Sequence, residues 1–148
     1  MYTIKEAINV THHFYETCAY FTAARYMRTA EAAADKFFKP TGMRPAYSYL
    51  MMALEDQHPL TISELAENLG YERSSSYRMA QKLERQGYLK MYLNGKSATV
   101  DLLPASGPFL ETANRCLEAW GHFTTDKLGA DKAAMTRLLT TNDEKLRR

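Results

Sequence analysis

Residues Leu60 to Pro104 read LTISELAENLGYERSSSYRMAQKLERQGYLKMYLNGKSATVDLLP, and this stretch decides the fold. Thr61 is a helix N-cap with Glu64 three residues on, a pattern in which each side chain takes a free backbone N–H of the first turn. Ile62, Leu65, Ala66 and Leu69 recur at helical spacing, and Gly70 can turn left-handed at the end. A second helix is predicted over Arg73 to Gln86, stopped by Gly87. Tyr88 to Leu93, Asn94-Gly95 and Lys96 to Leu102 read as strand, tight turn and strand, since Asn-Gly suits a turn whose central residues both need positive φ. Helix, turn, helix and hairpin make a winged helix-turn-helix, a unit that lays its second helix in a DNA major groove.

The second helix has two distinct sides. Ser76, Met79, Ala80 and Leu83 fall within one arc that would face the core. Ser75, Arg78, Lys82 and Arg85 fall opposite, flanked by Ser74, Tyr77 and Gln81; Glu84 lies to one side. Cations for phosphates, with Arg, Gln and Ser for base edges, are what a recognition helix needs. With Arg73 at the helix start and Lys96 in the hairpin turn, these are the expected DNA contacts: Arg73, Ser74, Ser75, Tyr77, Arg78, Gln81, Lys82, Arg85 and Lys96.

On these residues the chain resembles the MarR family of transcriptional regulators. The resemblance is carried by Leu60 to Ala66, Arg73 to Arg78 and Leu83 to Leu89, and by Leu102 to Gly107, which looks like the Leu-Thr-x-x-Gly close of the family's wing. It implies a mainly α fold (α+β): a winged helix-turn-helix over residues 45–104, with dimerisation helices in residues 1–39 and 106–148. It further implies a homodimer that binds a pseudo-palindromic operator in double-stranded DNA, usually as a repressor, and that a ligand or signal releases; the small number of cysteines separately fits a reducing, cytoplasmic setting. The chain departs from the family in two places. The family wing is longer and carries an Asp and an Arg near its tip, where here Lys96 is the sole charge. Glu72 replaces the usual Ser or Asp before the recognition helix, and Ser76 stands at a buried position usually held by Val.

Outward from this unit, Thr3 to Glu6 forms a second capping box, so a first helix should start near Ile4 and run through Phe38 until Lys39-Pro40-Thr41-Gly42 breaks it. A shorter helix is expected from Pro45 to Glu55, another from Ser106 to Leu128, and a last one after Gly129-Ala130-Asp131. The 148 residues are one domain's worth of chain, and the net charge is only +2. Its distribution says more. From Tyr71 to Lys96, Arg73, Arg78, Lys82, Arg85, Lys90 and Lys96 stand against Glu72 and Glu84, so this segment carries +4 and the remainder −2. No targeting segment or membrane-spanning run is visible.

Other residues invite sharper readings. Aromatic and Met side chains are dense through Met52, and the family accepts small aromatic or amphipathic anions in a cleft between dimer helices and winged domain. Tyr15, Arg44, Tyr47 and Met51 are the candidate ligand residues, with Arg44 to pair with a carboxylate. Cys18 sits where the peroxide-sensing branch keeps its reactive Cys, which makes a redox switch through Cys18 an alternative, although Thr22 and Ala32 replace that branch's activating tyrosines. Two cysteines, Cys18 and Cys116, are too few for a disulfide framework. His12 and His13 are adjacent and point about 100° apart on a helix, so no metal site is expected. No catalytic triad, phosphate loop or cofactor motif appears, so neither catalysis nor a cofactor is expected. A winged domain that binds protein is the remaining alternative; the acid-free helix face favours DNA.

Overall fold

The computed structural model describes residues 12–148, so the capping box expected at Thr3 to Glu6 and the helix start near Ile4 lie outside the described residues. The chain divides between Ala34 and Asp35 into two compact units.

In the first unit, α1 (Phe14–Thr17) and α2 (Ala19–Phe37, whose last residues belong to the second unit) replace the single long helix that the sequence led us to expect. His13 is left-handed at φ 56°, and Cys18 is extended at φ −92°, ψ 109°, which interrupts the helix. The break has an aromatic cause. Phe14 and Phe21 lie seven residues apart, about 10 Å along a straight helix, yet their ring centroids are 4.8 Å apart. Tyr15 meets the same Phe21 ring at 5.8 Å, and Arg25 covers it at 5.4 Å while donating to the Tyr15 carbonyl.

The second unit is the winged domain with its flanking helices. A 3₁₀ turn (Lys39–Thr41) ends at Gly42, with φ 73°. Next come α3 (Pro45–Asp56), β1 (Leu60–Thr61), α4 (Ile62–Leu69), α5 (Arg73–Arg85), β2 (Leu89–Asn94), β3 (Ser97–Leu102), α6 (Ser106–Leu128) and α7 (Asp131–Arg147). Thr61 caps α4 as expected: its hydroxyl accepts from the Glu64 N–H and the Glu64 carboxylate accepts from the Thr61 N–H, both at 3.1 Å.

The sheet is antiparallel in the order β1-β3-β2. Leu60 and Thr61, too short a run for periodicity to reveal, pair with Val100 and Thr99 as a third strand. The hairpin turn differs from the expected Asn94-Gly95. Asn94 pairs with Ser97, so Gly95 and Lys96 are the two loop residues, and only Gly95 has positive φ, at 64°. Positive φ at the first central residue alone is the type II′ pattern, which needs Gly there.

Leu50, Met51, Leu54, Leu60, Ile62, Leu65, Ala80, Leu83, Leu89, Val100, Phe109 and Ala113 belong to one buried cluster that joins every element of the unit from α3 to α6. Phe37, Trp120 and Phe123 extend the packing with ring contacts of 4.9–5.7 Å. By contrast α7 buries no residue, and Leu138, Leu139 and Leu146 are more than half exposed.

Ser76, like Ser48, is a flaw in this core. It is fully buried, and its hydroxyl has no hydrogen-bond partner among the described residues. Leaving such a group unpaired costs about 1–3 kcal/mol. Ser76→Ala is therefore expected to stabilise the chain by about 1 kcal/mol, read as a higher urea midpoint with unchanged slope; a lower midpoint would show that the hydroxyl is satisfied.

Candidate nucleic-acid interface

α5 is held by its buried side. Ser76, Ala80 and Leu83 are fully buried, and Met79 is half-buried against the core cluster. This arc fixes the opposite one. Ser74, Arg78, Lys82 and Arg85 are exposed; Ser75, Tyr77 and Gln81 are half-buried at its margins. Arg78 donates to the Ser75 hydroxyl at 3.4 Å, which orders the guanidinium without neutralising it. Glu84 is already engaged: its carboxylate accepts from the Met91 N–H of β2 at 2.7 Å.

The start of the helix is less well finished. Glu72 occupies the N-cap with no side-chain hydrogen bond to the first turn, so the departure noted in the sequence leaves that turn without a side-chain cap. Arg73 instead reaches the hairpin and donates to the Lys96 carbonyl at 3.3 Å. Ile62, Arg73, Tyr77, Leu93, Gly95, Lys96, Ser97 and Ala98 enclose a recess of about 240 Å³ between helix start and hairpin. Eight of the nine expected DNA residues thus lie along α5, and Lys96 joins them through the Arg73 contact.

The candidate ligand residues are not all brought together. Arg44 lines an open cleft of about 520 Å³ with Asp35, Lys39, Gly42, Met43 and Lys82, and pairs with Asp35 at 3.3 Å. Tyr47 reaches this cleft through Lys82, whose ammonium lies 5.1 Å from its ring centroid. Met51 is fully buried in the core and offers no wall to an open cleft. Tyr15 belongs to the first unit and to the aromatic cluster there. Lys39 and Lys82 were missed as cleft residues, because their approach depends on the turn at Gly42 and not on spacing along either helix.

Both cysteines are free thiols. Cys18 is half-buried; the nearby Thr22 hydroxyl bonds to backbone carbonyls, and the Sγ takes the Phe21 N–H at 3.5 Å. Burial pushes the Cys116 thiol above its usual range, outweighing the opposing pull of Arg115, which keeps it protonated. Among the described residues, no three His, Cys, Asp or Glu gather as a metal site, and no helix is long and apolar enough to cross a membrane.

Comparison with known proteins agrees with this architecture. The family model for the IclR helix-turn-helix domain matches residues 50–91, from within α3 into β2. No curated protein sequence matches the chain. Among solved structures, the PcaV regulator of Streptomyces coelicolor with its natural ligand is 16% identical, with TM-score 0.78, covering 94% of this chain and all of its own. The M. tuberculosis regulator MosR is 20% identical, with TM-score 0.76, covering 90% of this chain and 99% of its own. A MarR variant from E. coli complexed with operator DNA is 16% identical, with TM-score 0.74, covering 89% and 98%. This chain has the winged helix-turn-helix fold of the MarR-type regulators.

Proposed function

We propose that this protein is a homodimeric, sequence-specific DNA-binding regulator that represses transcription and is released by a small aromatic acid. The observation that carries the DNA reading is the exposed face of α5. Arg78, Lys82 and Arg85 project from it, and Glu84, the acid within the helix, is already bonded to β2. Arg78 and Gln81 are suited to base edges, and Lys82, Arg85, Arg73 and Lys96 to phosphates, with Ser74, Ser75 and Tyr77 completing the contact. The operator complex of the similarly folded E. coli MarR supports the same partner.

Selection of genomic fragments with the purified chain would supply the operator, and gel shifts on operator and scrambled DNA then test the roles. Arg78→Ala should cost about 1–3 kcal/mol and relax preference at one position per half-site. Lys82→Ala should weaken both DNAs alike and flatten the salt slope by about 1. Equal affinity for operator and scrambled DNA in the unmodified chain, untouched by either substitution, would end the DNA reading.

Assembly follows from unpartnered apolar surface. The exposed Leu138, Leu139 and Leu146 on α7, with Tyr20 and Met27 on α2, suit a second copy, which would set two recognition helices about one helical turn, roughly 34 Å, apart. Light scattering at micromolar concentration should give twice the chain mass; a stable monomer would overturn the half-site arrangement.

The switch is assigned to the cleft at Arg44. Its cations Lys39, Arg44 and Lys82 suit a carboxylate, and Met43 with the Tyr47 ring suits an aromatic body; Met51, buried in the core, is no part of it. A ligand releases DNA only by binding the released form better. Benzoate and hydroxybenzoates are expected to weaken operator binding, and Arg44→Ala to blunt that response while ligand-free binding stays close to that of the unmodified chain. Unchanged gels with every acid would remove this assignment and leave the DNA reading intact.

A further inference from the structure

Two side-chain hydrogen bonds tie the ends of α5 to the hairpin. At its start, Arg73 donates to the Lys96 carbonyl in the turn, across 23 residues of sequence, at 3.3 Å. Near its end, Glu84 accepts the Met91 N–H of β2 at 2.7 Å. We propose that Glu84 is a positioning residue: with Arg73 it clamps the short wing to the recognition helix, so that Lys96 meets the phosphate backbone at a fixed distance from Arg78. This rests on the DNA reading above and deepens it.

The chemistry favours this role over a contact with DNA. A carboxylate beside a phosphate backbone costs affinity, so an acid in the last turn of α5 must return more than it repels. Its 2.7 Å bond is a short, charge-assisted one, of the class that is about twice as strong as a neutral pair. The Met91 N–H is a sound anchor. β2 is an edge strand paired only with β3, Met91 is directly opposite Val100, and Val100 is fully buried. The wing also needs such a clamp. Its loop is two residues, Gly95 and Lys96, with one cation, so the tip of the wing can meet a phosphate only through the placement of Lys96.

The test uses the full chain on selected operator and scrambled duplexes, followed by fluorescence anisotropy, with amide exchange at Met91 as a readout that needs no DNA. In Glu84→Ala the Met91 amide should exchange faster. Preference for the operator should fall about tenfold, the worth of one hydrogen bond to a charged group. Lys96→Ala, which alone lowers the salt slope by about 1, should cost less in the Glu84→Ala background than in the unmodified chain. Glu84→Gln keeps an oxygen to accept the bond and loses the repulsion, so it should retain the preference and bind both duplexes more tightly. If Glu84→Ala does not fold, Met91→Pro removes the same bond from the donor side, at an edge-strand position where Pro is tolerated, and should show the same loss. Overturning results are a Met91 amide equally exposed with and without Glu84, or an unchanged operator preference with Lys96→Ala costing the same in both backgrounds. If the unmodified chain does not distinguish operator from scrambled DNA, the DNA reading fails first and this role falls with it; an amide still protected by Glu84 would then mark a purely structural bond.

Discussion

The burial of Ala80 and Leu83 governs the rest of the molecule. Both are fully buried in the cluster that also holds Leu65 of α4, Leu89 of β2 and Val100 of β3. A helix fixed by one arc has no freedom left in the other, so Arg78, Lys82 and Arg85 are presented as a consequence of packing. Displacing Leu83 by a polar residue would unseat the helix and scatter that charge together. Ser76 shows how little slack exists: a single hydroxyl on the same arc stands unpaired in a site otherwise filled by apolar side chains.

Much of this was legible because it is local. The Thr61–Glu64 box, the left-handed Gly70 at φ 71° and Gly87 at φ 85° each follow from residues within one turn of helix. The hairpin turn shows where such reading stops. Pairing from Asn94-Gly95 would set Leu93 opposite Lys96 and slide β3 by two residues, which leaves every side chain on its own face. Alternation therefore cannot choose between the registers. What fixes the observed one is tertiary: β1 pairs Leu60 with Val100, and the Leu103 N–H closes on the Tyr88 carbonyl. The interruption at Cys18 was hidden for the same reason, since it answers to the Phe14–Phe21 contact and not to helix propensity.

The site was legible as a list of residue types and less so as a geometry. Spacing put Arg78, Lys82 and Arg85 on one face, and they are exposed together. It could not bring Lys39 beside Arg44, bring the Tyr47 ring under the Lys82 ammonium, or separate Met51 from both. A net charge of +2 likewise understates the surface, because the acids that balance the sum lie largely outside the recognition segment.

The sheet has a consequence for colloidal behaviour. Open strand edges are templates on which other chains add strands and grow aggregates. Here one edge, β1, is two residues long, too short to recruit a stable neighbour. The other, β2, gives its Met91 N–H to Glu84 and carries the charged Lys90 alongside. A small sheet with one edge curtailed and the other partly occupied and charged can stand at the molecular surface, where a neighbour must approach closely, without becoming a nucleus for intermolecular β-structure.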